Sequence, residues 1–179
     1  MAWKVARNYD CPGEGDHGYT TPTVIEHAGS QAILVWGAEH VTAHSAADGR
    51  ILWSCGDFNP EREENWVCVA SAVATGEMVV VPYGRGTCLA GIRFGGDGDV
   101  TETHVAWKTT RGSPFVPSPL VYGNYLYTIN DMASIVTCFE AANSSAANSN
   151  IKASMHVYHK TIHHSVPDIR FFMGCHPEY

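Results

Sequence analysis

Four histidines crowd the C-terminal end of the chain, His156, His159, His163 and His164. Imidazoles three or four residues apart on a helix share a face and, when neutral, can hold a transition metal. Here no carboxylate or cysteine completes a set, and Val157 and Ile162 do not establish a helical period. The expectation is a His-rich tail that holds no metal. The run GGDGD, Gly95 to Asp99, approaches the G-G-x-G-x-D pattern of calcium repeats. Val100 stands where the final aspartate belongs, so a flexible acidic loop is expected instead. A second acidic run, FNPEREEN from Phe58 to Asn65, reads as a solvated loop that could also contact a partner.

Six cysteines stand at 11, 55, 68, 88, 138 and 175, with no C-x-x-C pair, so neither a zinc ribbon nor a thioredoxin motif is supported. Scattered buried thiols are the simpler reading. There is no G-x-S-x-G and no G-x-x-x-x-G-K. No catalytic, cofactor-binding or metal-binding residue is assigned.

With 179 residues, 45% of them hydrophobic and 16% charged, the composition is that of a globular domain with its own core. A net charge of -7 and the lack of any Lys/Arg run argue against a nucleic-acid surface. No apolar run reaches 18 residues, so no membrane span is expected, and the opening MAWKVARNYDCPGEG lacks the apolar stretch of a signal peptide.

The elements that would position these residues are strands. Ala32–Trp36, Glu77–Tyr83 and Asn124–Asn130 are short, rich in β-branched and aromatic residues, and bounded by Gly, Asn or Pro. They belong to a repeat. VTAHSAADGR (Val41 to Arg50) matches VTCFEAANSS (Val136 to Ser145) at Val, Thr, Ala and Ala, and TCLAGI (Thr87 to Ile92) falls between them. Ala43, Ala90 and Cys138 are then equivalent, at separations of 47 and 48. TPTVI (Thr21 to Ile25), SAVAT (Ser71 to Thr75) and SPLVY (Ser118 to Tyr122) open the units. ILWS and VAWK close two of them, and MAWK at the start reads as the close of a further one. A period near 40–50 residues is that of four-stranded propeller blades, which bury their faces by stacking on neighbours. A closing tryptophan suits that stacking: a flat ring can wedge between blades while its N–H takes one partner. Trp53 and Trp107 are expected to be buried in equivalent positions, and Gly49 to allow a tight turn.

In these residues the chain resembles the PQQ-like (quinoprotein-type) β-propeller repeat proteins, whose blade motif reads A-x-D-x-x-T-G-x-x-x-W. Ala43, Gly49 and Trp53 match it, with Ser45 and Asp48 in place of the Asp and Thr. A second copy runs from Ala90 to Trp107, lengthened by RFGGDGDVTETH (Arg93 to His104). The stretch resembles the bacterial branch labelled PQQ-binding-like or outer-membrane-assembly-like. In the third copy Cys138, Glu140 and Ser144 replace the Ala, Asp and Gly, and Asn148 stands where the tryptophan is due.

The expected fold is all-β: a partial β-propeller of four-stranded antiparallel blades, an open arc of about two to three, with an irregular C-terminal tail. Residues 1–142 form the blades and 143–179 a divergent tail that completes no blade with a closing tryptophan. Ala43, Gly49, Trp53, Ala90 and Trp107 are the blade-docking residues. Val24, Ile25, Val121 and Tyr122 would lie on outer faces lacking a neighbour, offering self-association. The resemblance implies a non-catalytic scaffold or protein-interaction module, an internal fragment of a larger propeller, contacting partners through blade loops. The alternative is a fragment of a PQQ-dependent dehydrogenase. The resemblance implies that such an enzyme holds PQQ with Ca²⁺ on the propeller axis, beside an adjacent Cys-Cys pair and an Asp base; no Cys-Cys pair is present. Localisation in the periplasm or cell envelope is implied for a full-length parent.

Overall fold

The computed structural model describes residues 1–140 and 153–156, and within them nearly all regular structure is β. Each repeat unit folds as an antiparallel meander. Strands β1 (Thr23–His27), β2 (Ser30–Gly37), β3 (His40–Ser45) and β4 (Ile51–Cys55) make the first sheet. The second holds β5 (Val73–Thr75), β6 (Met78–Tyr83) and β7 (Cys88–Arg93); the chain then passes through β8 (Gly98–Asp99) and a short helix α1 (Thr101–His104) before closing with β9 (Val105–Thr109). The third holds β10 (Leu120–Tyr122), β11 (Tyr125–Asn130), β12 (Ile135–Glu140) and β13 (Ala153–His156). Strands β1, β5 and β10, the first of each sheet, lie side by side in that order, so the sheets fan out from a common edge.

Period-2 alternation decides how the sheets stack. In the first sheet, Ile25, Leu34, Trp36, Val41, Ala43, Trp53 and Cys55 share one face and are buried. They form one core with Val79, Val81, Ala90 and Ile92 of the second sheet. The other face of the second sheet, carrying Val80 and Leu89, packs on Leu126 and Phe139 of the third. The result is an open arc of three stacked blades. Ile25, expected on an outer face, lies instead in the first core, because its parity along β1 is that of Leu34 and Trp53 across the ladder.

Three further expectations are corrected. Gly95–Asp99 is not simply a flexible acidic loop: Gly98 and Asp99 run parallel to Trp53 and Ser54 as a fifth strand on the first sheet, and Val100 is buried behind them. The FNPEREEN run is not wholly solvated, since Phe58 and Asn59 are buried. Residues 1–10 form no strand, so MAWK does not close a blade by ladder pairing. A fourth strand does complete the third sheet beyond residue 142, although without a tryptophan. The remainder of the tail, with the Asn148 position and with His159, His163, His164 and Cys175, lies outside the described residues.

Candidate functional site

The chemistry-bearing feature of this arc is the set of faces where one blade meets the next. Each closing tryptophan sits opposite the smallest residue of the preceding strand. Trp53 pairs with Ala43 and Trp107 with Gly91, and each ladder slips by one residue just after that pair, between Ala43 and His44 and between Gly91 and Ile92. The shared slip fixes the equivalence. Ala43 corresponds to Gly91, one position past Ala90, whose side chain lies on the opposite face in the first core. Close approach explains the glycine: a Cβ on Gly91 would overlap the indole of Trp107 and lie 2.7 Å from Met78 Cε. In the third sheet Cys138 takes the same place, and Ala153 stands opposite it where a tryptophan stands in the others.

Burial differs between the two rings. Trp53 is 0% exposed, whereas Trp107 is half-buried at the rim of the second interface. The cause is the insert after β7. Its β8 adds to the edge of β4, Val100 N–H donates to Ser54 O at 2.8 Å, and Gly56 N–H donates to Thr101 Oγ1 at 2.9 Å. No such insert seals the second interface among the described residues. Asp99 fastens the turn by accepting from Thr101 N–H (2.9 Å) and Thr101 O–H (2.6 Å), bonds that hold its carboxyl below the ordinary aspartate range. Phe58 closes the same core, edge-on to Trp36 at 5.2 Å and to Tyr83 at 5.3 Å. Contrary to expectation, the Trp53 N–H is buried without a partner among the described residues, as is that of Trp36; the apolar contact of both rings outweighs a cost of about 1–3 kcal/mol each.

A second device joins the blades at their common edge. Thr21 N–H donates to Ser71 Oγ at 2.8 Å, and Ser71 N–H donates to Ser118 Oγ at 2.9 Å. These are the residues that open the three repeat units. A hydroxyl recurs there because it accepts the backbone donor of the unit before it.

The free face of the first sheet is half covered by the N-terminal segment. Trp3 lies over Gly49, where a Cβ would fall 2.5 Å from Trp3 Cε3, and donates its indole N–H to Ala46 O at 3.1 Å. Gly49 adopts φ +79°, so glycine serves both the turn and the close approach. Arg7 donates through Nε to Thr42 Oγ1 (3.0 Å) and through a terminal nitrogen to Gly37 O and His40 O. Tyr9 stacks on His40 with centroids 3.7 Å apart. His44 Nδ1 donates to Gly49 O at 2.9 Å, which leaves Nε2 to accept from the Thr42 hydroxyl at 2.8 Å. These contacts cover β3 and β4. On β1 and β2, Val24 remains 60% exposed, with Ile33 and Val35 half-buried.

The outward face of the third sheet carries Leu120, Tyr122 and Ile129, all exposed, with Tyr122 at 76%. By ladder register it is the face of Cys138, equivalent to the faces of Trp53 and Trp107 that receive the following blade. Val121, on the other face, packs in the second core.

A cleft of about 1240 Å³ opens at the hairpin turns near the common edge, lined by Glu26, His27, Glu77 and Arg93 among others. Among the described residues no three His, Cys, Asp or Glu side chains cluster as metal ligands. Cys55, Cys68 and Cys138 are buried on separate elements and no disulfide links the described cysteines. No described helix is long and apolar enough to cross a membrane.

No family model and no curated protein matches the sequence. Among solved structures, the chain is similar to the quinohemoprotein alcohol dehydrogenase ADHIIG from Pseudomonas putida HK5, at TM-score 0.57 and 20% identity over 80% of this chain and 21% of that one. It also matches BamB from Moraxella catarrhalis, at TM-score 0.47 and 14% identity over 70% of this chain and 35% of that one. The chain thus spans about a fifth to a third of the structures it matches. At these identities the likeness is one of fold: the three stacked meanders are blades of a partial β-propeller.

Proposed function

We propose that this chain is a non-catalytic propeller scaffold, an interaction module whose working surface is a blade face, and that it represents part of a larger PQQ-like repeat protein. The observation that carries the reading is the outward face of the third sheet. It continues the series of faces that receive a following blade, yet Leu120, Tyr122 and Ile129 are exposed on it. An apolar patch on an ordered sheet marks a surface awaiting a partner. The resemblance supports a periplasmic or envelope setting for the longer parent, and that setting is part of the proposal.

The second reading, blades of a PQQ-dependent dehydrogenase, draws on the fold likeness to ADHIIG. The two separate in one assay. The chain is mixed with PQQ and Ca²⁺, and dye-linked oxidation of alcohols and sugars is followed. The scaffold reading expects none; turnover above the protein-free control moves the chain to the dehydrogenase reading. Coding sequence on either side of the open reading frame is expected to hold further repeat units in some frame. Flanks without a single further unit argue against a larger parent.

A further inference from the structure

We propose that the outer edge of β9 binds an extended segment of a partner protein, one that carries an acidic residue followed by an aliphatic one, as an added parallel strand. This surface is separate from the blade face of the scaffold reading. It lies on the perimeter of the arc. Blades stack face to face, so further blades of a longer parent leave such an edge uncovered.

The chain carries its own template for the contact. Strand β8 is added in parallel to the outer edge of β4, with Gly98 opposite Trp53 and Asp99 opposite Ser54. Val100 N–H donates to Ser54 O at 2.8 Å, Gly56 N–H donates to Thr101 Oγ1 at 2.9 Å, and the Val100 side chain is buried in the first core. An edge strand offers its outward N–H and C=O groups to an extended segment, and the side-chain surroundings then select the sequence.

Strand β9 repeats β4 without the cover. The two share register and slip, so Trp107, Lys108 and Thr110 stand where Trp53, Ser54 and Gly56 stand. Among the described residues β9 is the last strand of its sheet. By that register the Lys108 carbonyl and the Thr110 N–H face the edge, as those of Ser54 and Gly56 do. Trp107 is half-buried at this rim, against the second core of Val80, Leu89, Leu126 and Phe139. An aliphatic side chain in the place of Val100 would seal it as Val100 seals Trp53.

The charge at the edge sets the rest of the partner's sequence. Where β4 has Ser54, β9 has Lys108, an exposed residue whose Nζ donates to Asp57 O at 3.2 Å and which makes no ion pair among the described residues. A residue in the place of Asp99 lies directly across from it, where an acidic side chain is favoured and a basic one is not. The corresponding connection of the third unit, residues 141–152, contains no Asp or Glu, so it does not supply this pair.

The test is a titration of the full chain with the capped peptide DGDVTE, the sequence of Asp97 to Glu102, followed by tryptophan fluorescence. A saturable blue shift with Kd below about 1 mM is expected as Trp107 is sealed. The same peptide N-methylated at its valine lacks the N–H for the Lys108 carbonyl and should bind about tenfold more weakly. The variant Lys108→Glu, checked for native circular dichroism, should bind the parent peptide about fivefold more weakly. On that variant, a peptide with lysine in place of its second aspartate should regain the loss. Equal binding of the parent peptide to wild type and Lys108→Glu overturns the proposal, since it puts the peptide elsewhere, as on β4 in exchange for β8. No saturation up to about 1 mM also overturns it, as when residues 141–152 hold the edge themselves. Neither result bears on the dye-oxidation assay or the flanking coding sequence, so this inference and the scaffold reading fail separately.

Discussion

Trp53 and Trp107 hold the same register but differ in burial, and their truncations should separate. Trp53→Ala is expected to cost about 3–5 kcal/mol in urea unfolding, the range for large core aromatics. Trp107→Ala, at a half-buried rim, should cost less, about 2 kcal/mol; equal losses would contradict the sealing role given to the β8 insert. Gly91→Ala is expected to destabilise by about 1–3 kcal/mol through overpacking against the indole. Most of that loss should vanish in a Trp107→Ala background, the sign of direct coupling. The thiols make a pH prediction. Burial pushes Cys55 up to about 11 and Cys68 up to about 12, from 9.0. The folded state thus holds these protons more tightly than the unfolded one. Stability is unaffected by them below pH 9 and falls as pH rises from there toward 12. Both should resist alkylation in the native protein at pH 8 and react fully in urea; fast native labelling of either would refute their burial.

At the level of elements, strands and their recurrence were legible because each unit repeats the same physical demands: a hydroxyl at the common edge, a β-branched run, a small residue and a tryptophan. What was not legible was held by backbone or by single side chains. The insert after β7 docks through the backbone of Gly98 and Asp99, which leaves no residue pattern, so its acidic composition pointed to solvent. The equivalence of Ala43 with Gly91 was missed because matching letters favoured Ala90, whereas the ladder slip decides register. The docking of residues 3–9 depends on one arginine and two aromatic rings with no periodicity. For the insert, Thr101→Val removes the acceptor of Gly56 N–H and the hydroxyl donor to Asp99, leaving the backbone N–H bond in place. It should cost about 1 kcal/mol at pH 7. The Asp99 pKa is depressed in the fold, so its share of stability is present above the ordinary 3.8 and disappears as pH falls below it. The gap between wild type and variant should therefore narrow below pH 4; a gap constant down to pH 2 would show that Asp99 takes no part.

Across the whole molecule, stability is a sum of blades and the interfaces between neighbours, as in other repeat arrays. Two internal interfaces hold three sheets here, and the N-terminal segment adds its contacts on the free face of the first. The hydroxyl series has one further consequence, for synthesis. In each link the donor belongs to the earlier unit and the acceptor to the later one, Thr21 to Ser71 and Ser71 to Ser118. A blade leaving the ribosome therefore waits with a bare amide that only the next blade can cap. Folding advances like a zip whose teeth engage in order of translation, with the growing end always the unfinished one.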